Sequence, residues 1–361
     1  MKQLIMYKIG VIVVLLMLGG CMKWDYGGPG EDFDTGGEGL FILCEGNFQY
    51  GNATLSYYNP ASNEVENEVF NRANGMKLGD VAQSMAIYDN KGWIVVNNSR
   101  VIFAIDPNTF REIGRIDNFT SPRYIHFIDD EKAYVTQMWD NRIAIVNPKK
   151  YEITGYIEVP GMEAGNGSTE QMVEYDGYVY CTCWSYQNRI IKINISTDKV
   201  EDEVVVGIQP NSLVLDAQHR LWTMTDGGYE GSPYGYEAPA LLRIDPTTLA
   251  VEQKFPFRLG DSPRSLQLDG SGTTLYWINN DVWKMNIGSE RLPVNPFIKY
   301  HETKFYGLTV NPENGDVYVA DAIDYMQSGM IYRYSSEGSL IDNFYVGITP
   351  GAFCWQIPNY K

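Results

Sequence analysis

Ser121-Pro122-Arg123-Tyr124-Ile125-His126-Phe127 is the stretch whose reading decides the fold. A turn at Asp129 to Lys132 follows it, then Ala133-Tyr134-Val135-Thr136, a loop from Trp139 to Arg142, and Ile143 to Val146. Asn147-Pro148 makes a turn, and Tyr151 to Val159 closes the unit. Each run is short, rich in β-branched or aromatic residues and bounded by turn formers, so the unit reads as four strands on tight connections.

The same unit recurs along the chain. The aromatic at the centre of its second strand marks the register, as Phe41, Trp93, Tyr134, Tyr180, Trp222, Tyr276 and Tyr318, every 41 to 54 residues. The turn after the third strand recurs as Asn59-Pro60, Asp106-Pro107, Asn147-Pro148 and Asp245-Pro246, with Asn194 and Asn286 in equivalent places. Four short strands at this spacing are the signature of a propeller blade, and seven copies predict an all-β, seven-bladed β-propeller. The first copy, Leu40 to Phe70, lacks a first strand. An orphan strand, Ala352-Phe353-Cys354-Trp355, lies beyond the last copy and follows Thr349-Pro350-Gly351, which matches the start of other first strands. This C-terminal strand is therefore expected to join the first blade and close the ring, leaving no long exposed edge.

Composition agrees. Among 361 residues there are 26 Tyr, 14 Phe and 8 Trp, which favour strands, and 35 Gly and 17 Pro, which supply turns. A formal charge of −17 excludes nucleic acid as a partner and any docking of the folded domain on anionic lipid.

Membrane attachment is expected from the N-terminus instead. Lys2 and Lys8 precede an apolar run, Val11 to Leu18, too short to span a bilayer, so residues 1–20 read as a secretory signal. Leu18-Gly19-Gly20-Cys21 resembles the bacterial lipobox, which implies cleavage before Cys21 and lipidation of that cysteine. Residues 21–38 then form the lipidated cysteine and a flexible acidic tether, with Asp25, Glu31, Asp32 and Asp34 among glycines, and residues 39–361 form the propeller. The acidic stretch is similar to the signal that sends lipoproteins of Bacteroides-type bacteria to the outer cell surface. The expected location is the outer membrane, lipid-anchored and surface-exposed. Cys44, Cys181, Cys183 and Cys354 all fall in strand positions and read as buried free thiols.

In a four-stranded blade the loop leading into the first strand and the loop between strands two and three emerge on one face. The opposite face carries tight turns of standard residues, such as Asp89-Asn90-Lys91-Gly92 and Asp269 to Gly272. The first face is richer. Its strand-two-to-three loops hold Glu45, Phe48 and Tyr50; Asn97 and Asn98; Trp139; Trp184 and Tyr186; Asn280; and Tyr325. In the fifth copy an insertion, Asp226 to Pro239, adds Tyr229, Tyr234 and Tyr236, and so long a loop in an economical fold points to function. The residues at the starts of the first strands, Gly351, Gln83, Arg123, Glu170, Asn211, Arg264 and Tyr306, should ring the mouth of the central channel. The ligand-binding candidates are thus Gln83, Asn97, Arg123, Trp139, Glu170, Trp184, Tyr186, Asn211, Tyr229, Tyr234, Tyr236, Arg264, Asn280, Tyr306 and Tyr325. Flat aromatic surface around amide, guanidinium and carboxylate groups suits a large flat ligand with polar edges.

Catalytic chemistry finds little support. Of three histidines, His126 falls within an inner strand, His219 in a hairpin of the opposite face and His301 in a connecting loop, and none clusters with cysteine. There is no Ser-His-Asp arrangement, phosphate loop or paired-cysteine metal motif, so the expectation is a binding protein with no catalytic residue, no metal and no catalytic cofactor.

Several long stretches carry a family resemblance. They are Asp80-Val81-Ala82-Gln83-Ser84, residues 121–127, Trp184-Ser185-Tyr186-Gln187-Asn188-Arg189, the insertion from Asp226 to Glu237, Tyr306 to Pro312, and Gly347 to Trp355. Together they resemble the YncE-like surface-layer propellers of Bacteroides-type gut bacteria, most of all the BtuG-type lipoproteins, over about Gly39 to Trp355. The resemblance implies capture of cobalamin or another corrinoid at the cell surface and delivery to a TonB-dependent outer-membrane transporter. The site residues above come from the sorting of faces, not from the resemblance. The rival reading is a surface scaffold whose aromatic face holds a glycan or a protein.

Overall fold

The computed structural model describes residues 30–299 and 305–357. They form seven antiparallel sheets, one per blade. The unit quoted at the outset is the third blade: strands Pro122–Phe127, Ala133–Gln137, Arg142–Asn147 and Glu152–Glu158, in that order outward from the centre. Alternating burial along its outermost strand reflects one packed and one solvated face. The lipobox, Cys21 and His301 lie outside the described residues, and among the described residues no helix is long and apolar enough to cross a membrane.

Pro350–Gln356 pairs antiparallel with Gly39–Cys44, setting Leu40 opposite Trp355 and Ile42 opposite Phe353. The C-terminal strand therefore supplies the innermost place of the first blade, as expected, and both ends of the chain close the ring.

Seven apolar clusters fill the ring, each between two consecutive blades. Every cluster contains one of the seven marker aromatics, none more than 5% exposed. Burying so large a ring at each seam removes ~150–250 Å² from water and sets the spacing between sheets. Two markers also reach across the seam: the Tyr180 hydroxyl donates to the Pro246 carbonyl at 2.7 Å, and Tyr134 donates to Asp198. The turns after the third strands are closed by their own Asx side chains. Asp106 Oδ1 accepts from the Asn108 and Thr109 N–H groups, and Asp245 Oδ1 from those of Thr247 and Thr248. Cys44, Cys181, Cys183 and Cys354 are free thiols, the first three buried.

Three local features depart from the expectation. The outermost strand of the first blade is only Glu64–Glu66 and runs into a helix, Val69–Asn74, whose Val69, Phe70 and Ala73 fill the seam to the second blade. Among the described residues the sixth blade has three strands, Arg264–Leu268, Thr274–Asn279 and Asp281–Asn286. An isolated bridge between Val282 and Ile298 takes the outer place. Residues 30–38 are not a free tether but lie against the first two blades. Glu31 pairs with Arg72 at 2.6 Å, Asp32 with Arg111 at 2.7 Å, and the Phe33 ring stands edge-on to Phe110 at 5.0 Å. The aromatic ring and the two ion pairs supply the contact that the segment's glycines lack.

Trp355 ties the closing strand to the seventh blade: its ring lies 5.2 Å from Tyr318 and its Nε1 donates to Thr309 Oγ1 at 3.1 Å. Trp355→Ala is expected to cost ~3 kcal/mol through the void and the orphaned hydroxyl. Urea unfolding followed by circular dichroism measures it, and a loss under ~1 kcal/mol would mean that closure rests on the backbone ladder alone.

Candidate ligand-binding site at the channel mouth

A backbone device common to five blades shapes the mouth. The residue after the second strand donates its N–H to the carbonyl of the residue before the first strand. It joins Asn97 to Val81, Met138 to Ser121 and Trp184 to Ser168 at 2.8 Å, Asp226 to Gln209 at 3.1 Å, and Glu45 to Thr349 at 2.9 Å. In these five blades it fastens the strand-two exit beside the first-strand start, and Glu45, Trp184 and Asp226 thereby reach the cavity wall. Val81, Gln209 and Thr349 adopt left-handed conformations, φ 60°, 57° and 53°. For β-branched Val81 and Thr349 that costs ~1–2 kcal/mol each, so strain gathers at the mouth.

All seven predicted ring residues, Gly351, Gln83, Arg123, Glu170, Asn211, Arg264 and Tyr306, line one open cavity of about 470 Å³, together with Trp184. Arg123 is committed within it: Nε lies 2.9 and 3.0 Å from the two Glu170 oxygens, and Nη1 donates to Gln83 Oε1. Both side chains are largely buried, at 14% and 4% exposure, so the pair forms in a poorly screened setting. Asn211 donates to the Pro263 carbonyl at 2.9 Å, and Trp184 Nε1 to Asp226 Oδ2 at 2.8 Å.

The other candidates fall elsewhere. Asn97 is buried behind the wall and spends its amide on Ser121 Oγ and the Pro122 carbonyl, at 2.8 and 3.0 Å, latching the second blade to the third. Trp139, Tyr229, Tyr234 and Tyr236 are exposed on the rim. Tyr186 and Tyr234 lie ring to ring at 4.3 Å, and Asn166 donates to the Tyr234 hydroxyl at 3.0 Å, so the insertion rests on the fourth blade's loops rather than over the cavity. Tyr325 stands edge-on to Tyr306 at 5.6 Å, and Asn280 occupies an exposed turn. His126 lies on an innermost strand outside this cavity, its Nε2 3.2 Å from Glu174 Oε2, and the His219 ring lies 4.9 Å from Tyr175. Among the described residues no three His, Cys, Asp or Glu side chains gather as a metal site would require.

The wall residues that the sequence reading did not nominate include two carboxylates, Glu45 and Asp226. Both sit four residues after a marker aromatic, Phe41 and Trp222, as does Trp184 after Tyr180, so that register position was the available signal. Glu45 accepts from the Tyr306 hydroxyl at 3.1 Å. Gly351 lies so close that a Cβ there would stand 2.3 Å from Glu45 Oε1, so any larger residue would displace that carboxylate. Burial pushes the Glu45 carboxyl up to about 7, against the opposing hydrogen bond from Tyr306 and the charge of Arg123. Burial also raises Asp226, opposed by the Trp184 and Gly228 N–H groups.

Between the ordinary value of 4.5 and about 7, folded Glu45 keeps a proton that the unfolded chain has released. Stability contributed by that proton is therefore lost as pH rises through this window. Glu45→Gln should remove the loss, so the melting-temperature difference between variant and parent grows in the variant's favour from pH 5 to pH 7.5. A constant difference would show that Glu45 is not protonated in the fold.

Solved structures similar to this one share its fold at low identity. A quinonprotein alcohol dehydrogenase-like protein from Bacteroides thetaiotaomicron is 13% identical with a TM-score of 0.66, over 89% of this chain and 79% of its own. The periplasmic gluconolactonase of Pseudomonas aeruginosa is 12% identical with a TM-score of 0.65, over 88% and 99%. The β-propeller domain of Cps50 (Swd1) from Myceliophteria thermophila is 11% identical with a TM-score of 0.63, over 85% and 97%. No curated protein matches the sequence. One family model spans residues 38–347, from the foot of the first blade to the last strand of the seventh, and the chain accordingly belongs to the family described as the domain of unknown function DUF5074.

Proposed function

We propose that this propeller captures a corrinoid at its channel mouth, as a lipid-anchored protein of the outer cell surface, and passes it to a TonB-dependent outer-membrane transporter. One observation carries the reading: the seven first-strand residues converge on a single open cavity whose walls alternate amide, hydroxyl and ionisable groups, flanked by the Trp184 and Tyr306 rings. A corrin is broad and flat, with neutral carboxamides around its edge, and such edges need donors and acceptors more than net charge. The mouth matches this. Arg123 and Glu170 neutralise each other, and Glu45 sits near half-protonation at neutral pH. The surrounding rim of Trp139, Tyr229, Tyr234 and Tyr236 extends apolar area beyond the cavity, which a ligand larger than 470 Å³ requires. A ring of seven packed seams holds the site largely preformed, so little ordering cost opposes binding. In this reading the corrinoid is cargo, and no residue acts as a catalyst.

The exposed rim also favours a second reading, a surface scaffold for a glycan or a protein, because exposed tyrosine faces stack on sugar rings.

Calorimetric titration of the unlipidated chain with cyanocobalamin separates the two. Corrinoid capture predicts one saturable site of nanomolar affinity or tighter, a protein that stays pink through gel filtration, and a loss of at least about tenfold in Trp184→Ala. A colourless protein with no heat and no spectral change at high ligand concentration would overturn the corrinoid reading. The combined variant Tyr229→Ser, Tyr234→Ser, Tyr236→Ser tests the rim. It should weaken cyanocobalamin binding about three- to thirtyfold if the ligand overhangs the cavity, and unchanged affinity would confine the ligand to the channel mouth.

A further inference from the structure

The polar groups of the cavity are almost all committed to one another. Arg123 is held by Glu170 and Gln83, Asn211 by Pro263, Trp184 by Asp226, and Tyr306 by Glu45. Arg264 is the exception. Among the described residues its side chain makes one long hydrogen bond, Nη2 to Ser262 Oγ at 3.3 Å, and Asp226 feels its charge without forming an ion pair with it. It is half-buried at the start of the sixth blade's innermost strand, in the wall of the cavity. A guanidinium has five N–H donors in a planar fork, and desolvating it without an anion is costly. Elsewhere many arginines are paired: Arg72, Arg111, Arg115, Arg142, Arg220 and Arg333 meet carboxylates within 3.0 Å, while Arg100 is held by the Phe119 carbonyl at 2.6 Å. The cavity's carboxylates are already engaged, Asp226 by Trp184 and Gly228, Glu45 by Tyr306, and Glu170 by Arg123.

We propose that Arg264 is an anion subsite, and that the ligand seated at the mouth brings its own acidic group to it. The inference rests on the corrinoid reading only for the identity of that group. A complete corrinoid carries one anion suited to a guanidinium fork, the phosphodiester of its nucleotide loop, whereas its carboxamide edge is neutral. Cobinamide lacks that phosphodiester. Arg264 then fixes which side of the ligand faces the fifth and sixth blades, and it discriminates complete from incomplete corrinoids. An anionic carboxylate would satisfy the same fork, so the test separates the two acids.

The experiment compares the full chain and Arg264→Gln in two arms. In the first, cyanocobalamin and dicyanocobinamide are titrated by calorimetry at low and high salt. A charge-assisted contact predicts that Arg264→Gln loses about ten- to a hundredfold more affinity for cyanocobalamin than for dicyanocobinamide. The parent's preference for cyanocobalamin should also shrink as salt rises. Equal losses for the two ligands would overturn the subsite while leaving the corrinoid reading intact. In the second arm dimethyl phosphate and acetate are added without corrinoid, and the melting temperature is followed. A rise with dimethyl phosphate that Arg264→Gln abolishes supports the subsite even if neither corrinoid binds, in which case the corrinoid reading alone falls. A rise with acetate only assigns the fork to a carboxylate and overturns the phosphodiester, and no Arg264-dependent rise with either acid overturns the subsite when the corrinoids are also silent.

Discussion

Everything at the channel mouth depends on the ladder between Gly39–Cys44 and Pro350–Gln356. Without it the first blade has no innermost strand, and the seam between the seventh and first blades loses Phe353 and Trp355. The ladder also builds the site directly. It brings Glu45, just past the end of one strand, against Gly351 in the other, and the Glu45 N–H to the Thr349 carbonyl. A carboxyl encoded near residue 45 and a hydroxyl encoded at residue 306 meet only because the ring closes between them. Long-range pairing of this kind forms late and carries a large loop-closure cost, which the seven seams of buried aromatics offset collectively.

How much of this was legible in the sequence follows from which interactions are periodic. The marker aromatics repeat because every seam needs one large ring, so the blade count and the closing strand could be read from spacing alone. The faces could be sorted because strand alternation fixes where each loop emerges, and the seven first-strand residues do meet at one cavity. What could not be read is aperiodic. The helix Val69–Asn74 replaces most of an outer strand where Phe70 fills a gap between blades, and the docking of Phe33 depends on Arg72 in that helix and on Phe110 in a turn of the second blade. Asn97 looked like its neighbours on the loop list, yet its amide is consumed by the next blade. Side-chain commitments of that sort depend on exact distances across seams, and composition carries no trace of them.

Glu45 and Asp226 show a different limit. Both were visible as loop acids, but acids are common on a chain of charge −17 and none stood out. They follow the marker by the same interval as Trp184, but so do Asn97 and Met138, which do not line the cavity, so register narrows the choice without deciding it. The strained conformations at Val81 and Thr349 belong to the backbone device at the mouth. Strain persists where surrounding structure over-determines the backbone, and here two strands and a neighbouring blade do so.

The two ends of the channel therefore differ in kind, though the same blades build both. On the far face the turns after the third strands satisfy themselves, since each Asx oxygen caps the N–H groups of its own turn. Such turns need nothing from outside. At the mouth, hydrogen bonds run between blades, and the accounting ends with one guanidinium short of an anion. A protein with a large negative surplus has carboxylates to spare for every arginine, so leaving Arg264 without one reflects geometry rather than scarcity. The net charge of −17 repels free anions, so an anion is held only where a direct contact such as the guanidinium fork offsets that repulsion. Selectivity for one acid on a large neutral ligand is what such a distribution favours.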